Sequence, residues 1–90
     1  MAGVRPPPGH FVLLYFASAH TCTGRESEFF SAPMTIAELC KRLQLQYPGI
    51  GKILQSSTLT INLDYVPDNA ASTAIQEGDE IAIIPPVSSG

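Results

Sequence analysis

Residues 10–16 read His-Phe-Val-Leu-Leu-Tyr-Phe, and this stretch limits the fold more than any other. Alternate side chains of a strand point to opposite faces, and here both alternating sets are apolar. Such a strand has to be covered on both sides, so it is read as the central strand of a sheet. The rest of the chain must supply that cover. Of its 90 residues, 44% are apolar and 14% are charged, which suffices for one modest core and leaves no length for a second domain. The same composition excludes an intrinsically disordered chain, which would need fewer hydrophobes and a higher net charge.

The clearest local signal after this strand is Thr35-Ile-Ala-Glu38, an S/T-x-x-E capping box. The Thr35 hydroxyl and the Glu38 carboxylate can satisfy the orphan amides at a helix start reciprocally. Ile36, Leu39, Cys40, Leu43 and Tyr47 then recur at spacings of three and four, which puts them on one face, with Glu38 and Arg42 on the other. Pro48-Gly49 ends this helix, and Ile50, Ile53 and Leu54 predict a brief helical turn after it. Upstream, Ala17 to Gly24 is compatible with a short helical turn stopped by glycine, and Glu26 to Ser31 reads as a second strand in a hairpin with the first. Downstream, Thr58 to Leu63 alternates strictly, so Leu59, Ile61 and Leu63 are expected to face the core. Tyr65 and Val66 suggest a further short strand broken at Pro67-Asp68-Asn69, and Glu80 to Ile84 is the last strand, entered through a turn at Gly78. The order β-β-α-β-(β)-β with one main helix across one sheet is an α+β layer architecture. Residues 1–9 are expected to form a disordered proline-rich tail, residues 10–84 the domain, and residues 85–90 a flexible C-terminal tail.

Several function classes drop out. The net charge is −3, and the five cations are scattered at Arg5, Arg25, Lys41, Arg42 and Lys52, which leaves no basic footprint for a nucleic acid. The longest apolar run, Phe11 to Ala17, is too short to span a bilayer, and the N-terminus lacks a signal peptide's hydrophobic region, so no membrane partner and a cytosolic location are expected. Cys22 and Cys40 form no metal-binding or redox pair and are read as packing or surface thiols. His10 and His20 lack partners at the spacing of a triad or a metal cage, and Glu77, Asp79 and Glu80 are read as solvated turn acids, so no metal site is expected. No glycine-rich phosphate loop is present.

One feature remains. A buried strand passes through Pro85-Pro86 and the chain then runs Val87-Ser88-Ser89-Gly90. Two prolines hold the chain extended, and small residues ending on a glycine without a Cβ leave a terminal carboxylate unhindered. Such an arm could thread a narrow channel and have its carboxylate activated as an acyl-adenylate. On these residues alone a frayed end without a role is the favoured reading, since many domains end in a few small residues.

The run Val12-Leu-Leu-Tyr-Phe-Ala17, the stretch from Gln76 through Gly78-Asp79-Glu80 to Pro85-Pro86, and the terminal Val87-Ser-Ser-Gly90 together resemble the small, sulfur-carrier subunits of molybdopterin synthase. The likeness spans residues 10–90. It implies a ubiquitin-like β-grasp fold with the first and last strands side by side in parallel. It also implies that an E1-like enzyme uses ATP to adenylate Gly90, that the carboxylate becomes a thiocarboxylate, and that its sulfur goes to cyclic pyranopterin monophosphate. No cofactor bound by the chain itself is implied. The partner is then the large catalytic subunit, two small and two large subunits forming a heterotetramer. Residues Pro85, Pro86, Val87, Ser88 and Ser89 would enter that subunit with Gly90, and Phe16, Tyr65 and Ile84 are nominated by family position as its contacts. Two departures stand out: Ser89 replaces the usual penultimate glycine, and Ala17 to Gly24 lacks the Arg-Glu pair common after the first strand. The same resemblance also admits a ubiquitin-like modifier or a thiamine-type carrier, and the residues alone admit a passive binding module.

Overall fold

The computed structural model describes residues 5–66 and 72–86. Its elements follow in the order β1 His10–Tyr15, α1 Ser18–Thr23, β2 Ser27–Ser31, β3 Met34–Thr35, α2 Ile36–Gln46, α3 Ile50–Ser56, β4 Thr58–Ile61, β5 Asp64–Tyr65, β6 Ala74–Ile75 and β7 Glu80–Ile84. Five strands form one mixed sheet in the order β2-β1-β7-β4-β5, and β3 and β6 form a separate two-stranded pair. β1 pairs antiparallel with β2 and parallel with β7, with Leu14 opposite Ala82 and Tyr15 opposite Ile83. This is the ubiquitin-like β-grasp, with the first strand beside the last.

Both faces of β1 are apolar because each meets a different environment. Phe11, Leu13 and Tyr15 join Phe30, Ile81 and Ile83 under the helices, where Leu39, Leu43, Ile50 and Ile75 close the main core. Phe11 and Phe30 stack with ring centroids 5.8 Å apart. Val12, Leu14 and Ala82 form a small second cluster on the opposite face, with Phe16 packed against it.

Helix α2 begins as its sequence requires. The Glu38 amide donates to the Thr35 hydroxyl at 3.1 Å, and the Thr35 amide donates to the Glu38 carboxylate at 2.9 Å. Ile36, Leu39 and Leu43 are buried, while Cys40 and Tyr47 are half-buried against the core. Gly24 closes α1 in the left-handed region that glycine tolerates. Cys22 and Cys40 are free thiols packed against the core, and burial raises the Cys40 pKa above the ordinary thiol value.

Glu28 ties β2 to β1 and α2. Lying opposite Leu13, it shares the helix side of the sheet. Its carboxylate accepts hydrogen bonds from the Tyr15 hydroxyl at 2.9 Å, the Tyr47 hydroxyl at 2.7 Å and the Gln46 amide at 2.8 Å. Burial alone pushes the Glu28 pKa up, but these hydrogen bonds together with nearby Arg25 outweigh it and hold the pKa below the ordinary glutamate value. Burial and the same carboxylate raise the Tyr15 hydroxyl pKa.

Three expectations need correction. Leu63 does not face the core: β4 ends at Ile61, and Asn62-Leu63 forms the two-residue turn into β5, leaving Leu63 84% exposed. The segment expected to trail through Gly9 is tied at its end, where the His10 amide donates to the Pro7 carbonyl and the Gly9 amide donates to Glu77 at 2.7 Å. Pro85, expected in the exposed tail, is buried, while its neighbours Ile84 and Pro86 are exposed. The expected break at Pro67-Asp68-Asn69 lies outside the described residues, as does Met1 to Val4. Among the described residues, no helix is long and apolar enough to cross a membrane.

Thr35→Ala should lower stability by about 1 kcal/mol in urea unfolding, through loss of the helix cap, and an unchanged midpoint would contradict the cap's role. Glu28 binds protons less readily folded than unfolded, so its contribution is complete above roughly pH 4.3 and is lost as pH falls through the depressed folded value. Tyr15 has the opposite sign, its contribution being complete below about pH 10 and lost as pH rises further. Thermal unfolding across pH should therefore show an acid limb that Glu28→Gln flattens; an acid limb of the same steepness in that variant would assign it to other groups.

Candidate functional site

The register of the sheet builds the site. Tyr65 lies opposite Thr60, Thr60 opposite Ala82, and Ala82 opposite Leu14, so one transverse row of four side chains crosses β5, β4, β7 and β1 on the face away from the helices. Phe16 and Ile84 each follow the last pair of the β1–β7 register and line the same hollow. The floor of this region is low because Ala82 and Thr60 are small, and Leu14, Phe16, Leu63, Tyr65 and Ile84 line it with them. The result is a largely apolar depression of about 540 Å³. Glu80 is the charged residue on its lining.

Phe16, Tyr65 and Ile84, which lie far apart in sequence, thus converge on one surface. Tyr65 is 77% exposed and Ile84 40%, and neither belongs to the main core. Exposed apolar side chains scattered singly mean little, but grouped around a concave surface they form a candidate docking site. The arm starts at its edge, since Pro85 follows Ile84 directly. Val87, Ser88, Ser89 and Gly90 lie outside the described residues.

The Gly78-Asp79-Glu80 motif fixes the far side of the depression. Gly78 has φ +85, which a Cβ would strain. The Asp79 carboxylate accepts from the Gln76 amide at 2.8 Å, closing the turn into β7, and from the Asn62 side-chain amide at 3.1 Å. The Asn62 side-chain oxygen in turn accepts from the Glu80 amide at 2.9 Å, and the Asn62 amide donates to the Glu80 carbonyl at 2.7 Å. The motif therefore acts as a clasp between the entry to β7 and the β4–β5 turn. Glu77 also has a partner, the Gly9 amide. Hydrogen bonds to backbone and amide groups, rather than free solvation, occupy Glu77 and Asp79.

Three non-glycine residues among those described have positive φ, namely Ala17 at 52°, Asn62 at 51° and Leu63 at 74°. Ala17 follows Phe16, and the other two form the clasped turn. Asparagine tolerates this region, but alanine or leucine held there costs on the order of 1–3 kcal/mol, and such strain concentrates at functional surfaces.

Sequence reasoning missed Leu14, Thr60, Asn62, Leu63 and Ala82. Asn62 carried a usable signal, since asparagine is the favoured first residue of a two-residue turn with both φ values positive. Among the described residues, no group of three or more His, Cys, Asp or Glu side chains is placed to hold a metal.

The sequence matches the ThiS family over residues 13–90. The molybdopterin synthase sulfur carrier subunit of Phaeosphaeria nodorum is 50% identical over 96 residues, covering 100% of both chains. The corresponding human subunit is 35% identical over 80 residues, covering 87% of this chain and 91% of that one. Among solved structures, small archaeal modifier protein 1 from Methanosarcina acetivorans superposes with a TM-score of 0.76 at 20% identity, over 98% of this chain and 100% of that one. In a complex of subunits 1 and 2 of molybdopterin-converting factor from Helicobacter pylori, the matching chain has a TM-score of 0.65 at 21% identity, over 90% of this chain and 99% of that one. These two structural likenesses establish the shared fold, and the sequence relationship establishes the kinship: the chain belongs to the ThiS family and, within it, to the molybdopterin synthase sulfur carrier subunits.

Proposed function

We propose that this chain carries sulfur for molybdenum cofactor synthesis as the small subunit of molybdopterin synthase. The observation that carries this reading is the 50% identity to a sulfur carrier subunit over the full length of both chains. The depression at the root of the arm is the physical support, because a carrier has to dock before its terminus can be delivered.

In this reading the reactive group is the Gly90 carboxylate. One of its oxygens attacks the α-phosphate of ATP on an E1-like enzyme, and pyrophosphate leaves. A sulfur donor at the sulfide oxidation level then displaces AMP, leaving a thiocarboxylate. The chain needs no catalytic side chain for either step. Residues 85–90 span at most about 20 Å when extended, so the acceptor site must lie within that distance of Ile84. The apolar depression with Phe16, Tyr65 and Ile84 docks the large catalytic subunit, which takes Pro86, Val87, Ser88, Ser89 and Gly90 into its active site. Two such carriers flank a pair of large subunits in the cytosol, and the acceptor is cyclic pyranopterin monophosphate.

Incubation with the activating enzyme, ATP and a sulfur source should raise the intact mass by the oxygen-to-sulfur difference, localised to Gly90 by fragmentation. Deleting Gly90 should abolish the gain, and Ser89→Gly should preserve it. An unchanged mass with a demonstrably active enzyme would contradict the carrier role, and Gly90 found in isopeptide linkage to lysines would point to a modifier. Phe16→Ala and Tyr65→Ala should each weaken binding to the large subunit by about tenfold, as read by calorimetry, with Tyr65→Ala leaving the melting temperature almost unchanged.

A further inference from the structure

Leu63 is the most exposed large apolar side chain among the described residues, at 84%. Exposure alone carries nothing, since Leu45 on α2 is 80% exposed as an isolated surface residue. Leu63 differs in three respects. It sits at φ 74, where the two-residue turn favours glycine and where leucine is strained. It lines the depression together with Phe16, Tyr65 and Ile84. Its turn is held to the entry of β7 by the Asn62 and Asp79 side chains, so its position is fixed rather than left to a loose loop.

The monomer gains little from leucine at this place. Glycine or asparagine would relieve the backbone, and the side chain buries almost nothing within its own chain. The compensating contact therefore lies outside the monomer. Its source follows from the arm: a subunit that takes Gly90 must sit within about 20 Å of Ile84, over the rim that Leu63 shares.

Building on the sulfur-carrier reading above, we propose that Leu63 is a specificity-determining anchor of the docking surface, seated in an apolar socket on the large, sulfur-accepting subunit. The contact extends the interface beyond Phe16, Tyr65 and Ile84 to the β4–β5 turn. The carrier then meets its acceptor along two sides of the depression, the arm's root on one and Leu63 on the other. Two-sided seating fixes orientation as well as affinity, which a narrow arm aimed at a buried acceptor requires.

The test is Leu63→Asn, which suits the left-handed backbone and removes the apolar group. Binding of the full-length variant to the large subunit, measured by calorimetry beside Phe16→Ala, should weaken by about tenfold, with a melting temperature equal to or above that of the parent chain. If Leu63→Asn binds like the parent while Phe16→Ala is weakened, the anchor is overturned and the docking face stands. If neither variant weakens binding, the docking face itself is wrong. If sedimentation shows that the parent chain self-associates, Leu63→Asn does not, and large-subunit affinity is unchanged, Leu63 contacts a second copy and the proposal falls.

Discussion

The parallel pairing of β1 with β7 joins the first strand to the last, and the position of every functional element follows from it. Its register sets Leu14 beside Ala82 and Tyr15 beside Ile83, so both strands leave at the same end of the sheet. One continues into Phe16 and α1, the other into Pro85-Pro86 and the arm. A parallel pair cannot be closed by a tight turn and needs a long crossover. Here that crossover holds both longer helices and β4. The helices cover one face of the sheet, and the other carries the apolar depression.

The two faces are built to different standards. Under the helices, Phe11, Leu13, Ile81 and Ile83 are fully buried, and the one conspicuous polar group, the Glu28 carboxylate, is met by three donors. On the opposite face, small residues at Ala82 and Thr60 leave a depression, and Tyr65 and Leu63 stand largely in solvent at its margin. Filling that depression with larger side chains would bury more apolar surface within the monomer. Leaving it open, beside a backbone strained at Ala17 and Leu63, trades stability for a surface that a partner can cover.

Much of the fold was legible because its signals are local. The Thr35–Glu38 box, the three-four spacing from Ile36 to Tyr47, Gly24 as a helix stop, and the apolar runs of β1 and β7 each depend on residues within a few positions of one another. What failed depends on pairing. Leu63 extends the alternation of Leu59 and Ile61, and only the hairpin to β5 reveals that the strand has already ended at Ile61. The pair of β3 with β6 was invisible because strands of two residues carry no periodicity. At the site, resemblance nominated Phe16, Tyr65 and Ile84, but their convergence rests on a register linking four strands. The clasp through Asn62 and Asp79 joins residues 17 apart, and no motif announced it.

In the function proposed, sulfur carried on Gly90 is delivered through this face to a pterin acceptor. A single-turnover reaction tests it most directly. The thiocarboxylate form of the chain, labelled with heavy sulfur, is mixed with the large subunit and cyclic pyranopterin monophosphate, and both the carrier mass and the pterin product are followed. The carrier should return to its carboxylate mass as both dithiolene sulfurs of molybdopterin acquire the label. Molybdopterin formed without label, or a carrier that keeps its sulfur while product accumulates, would contradict it.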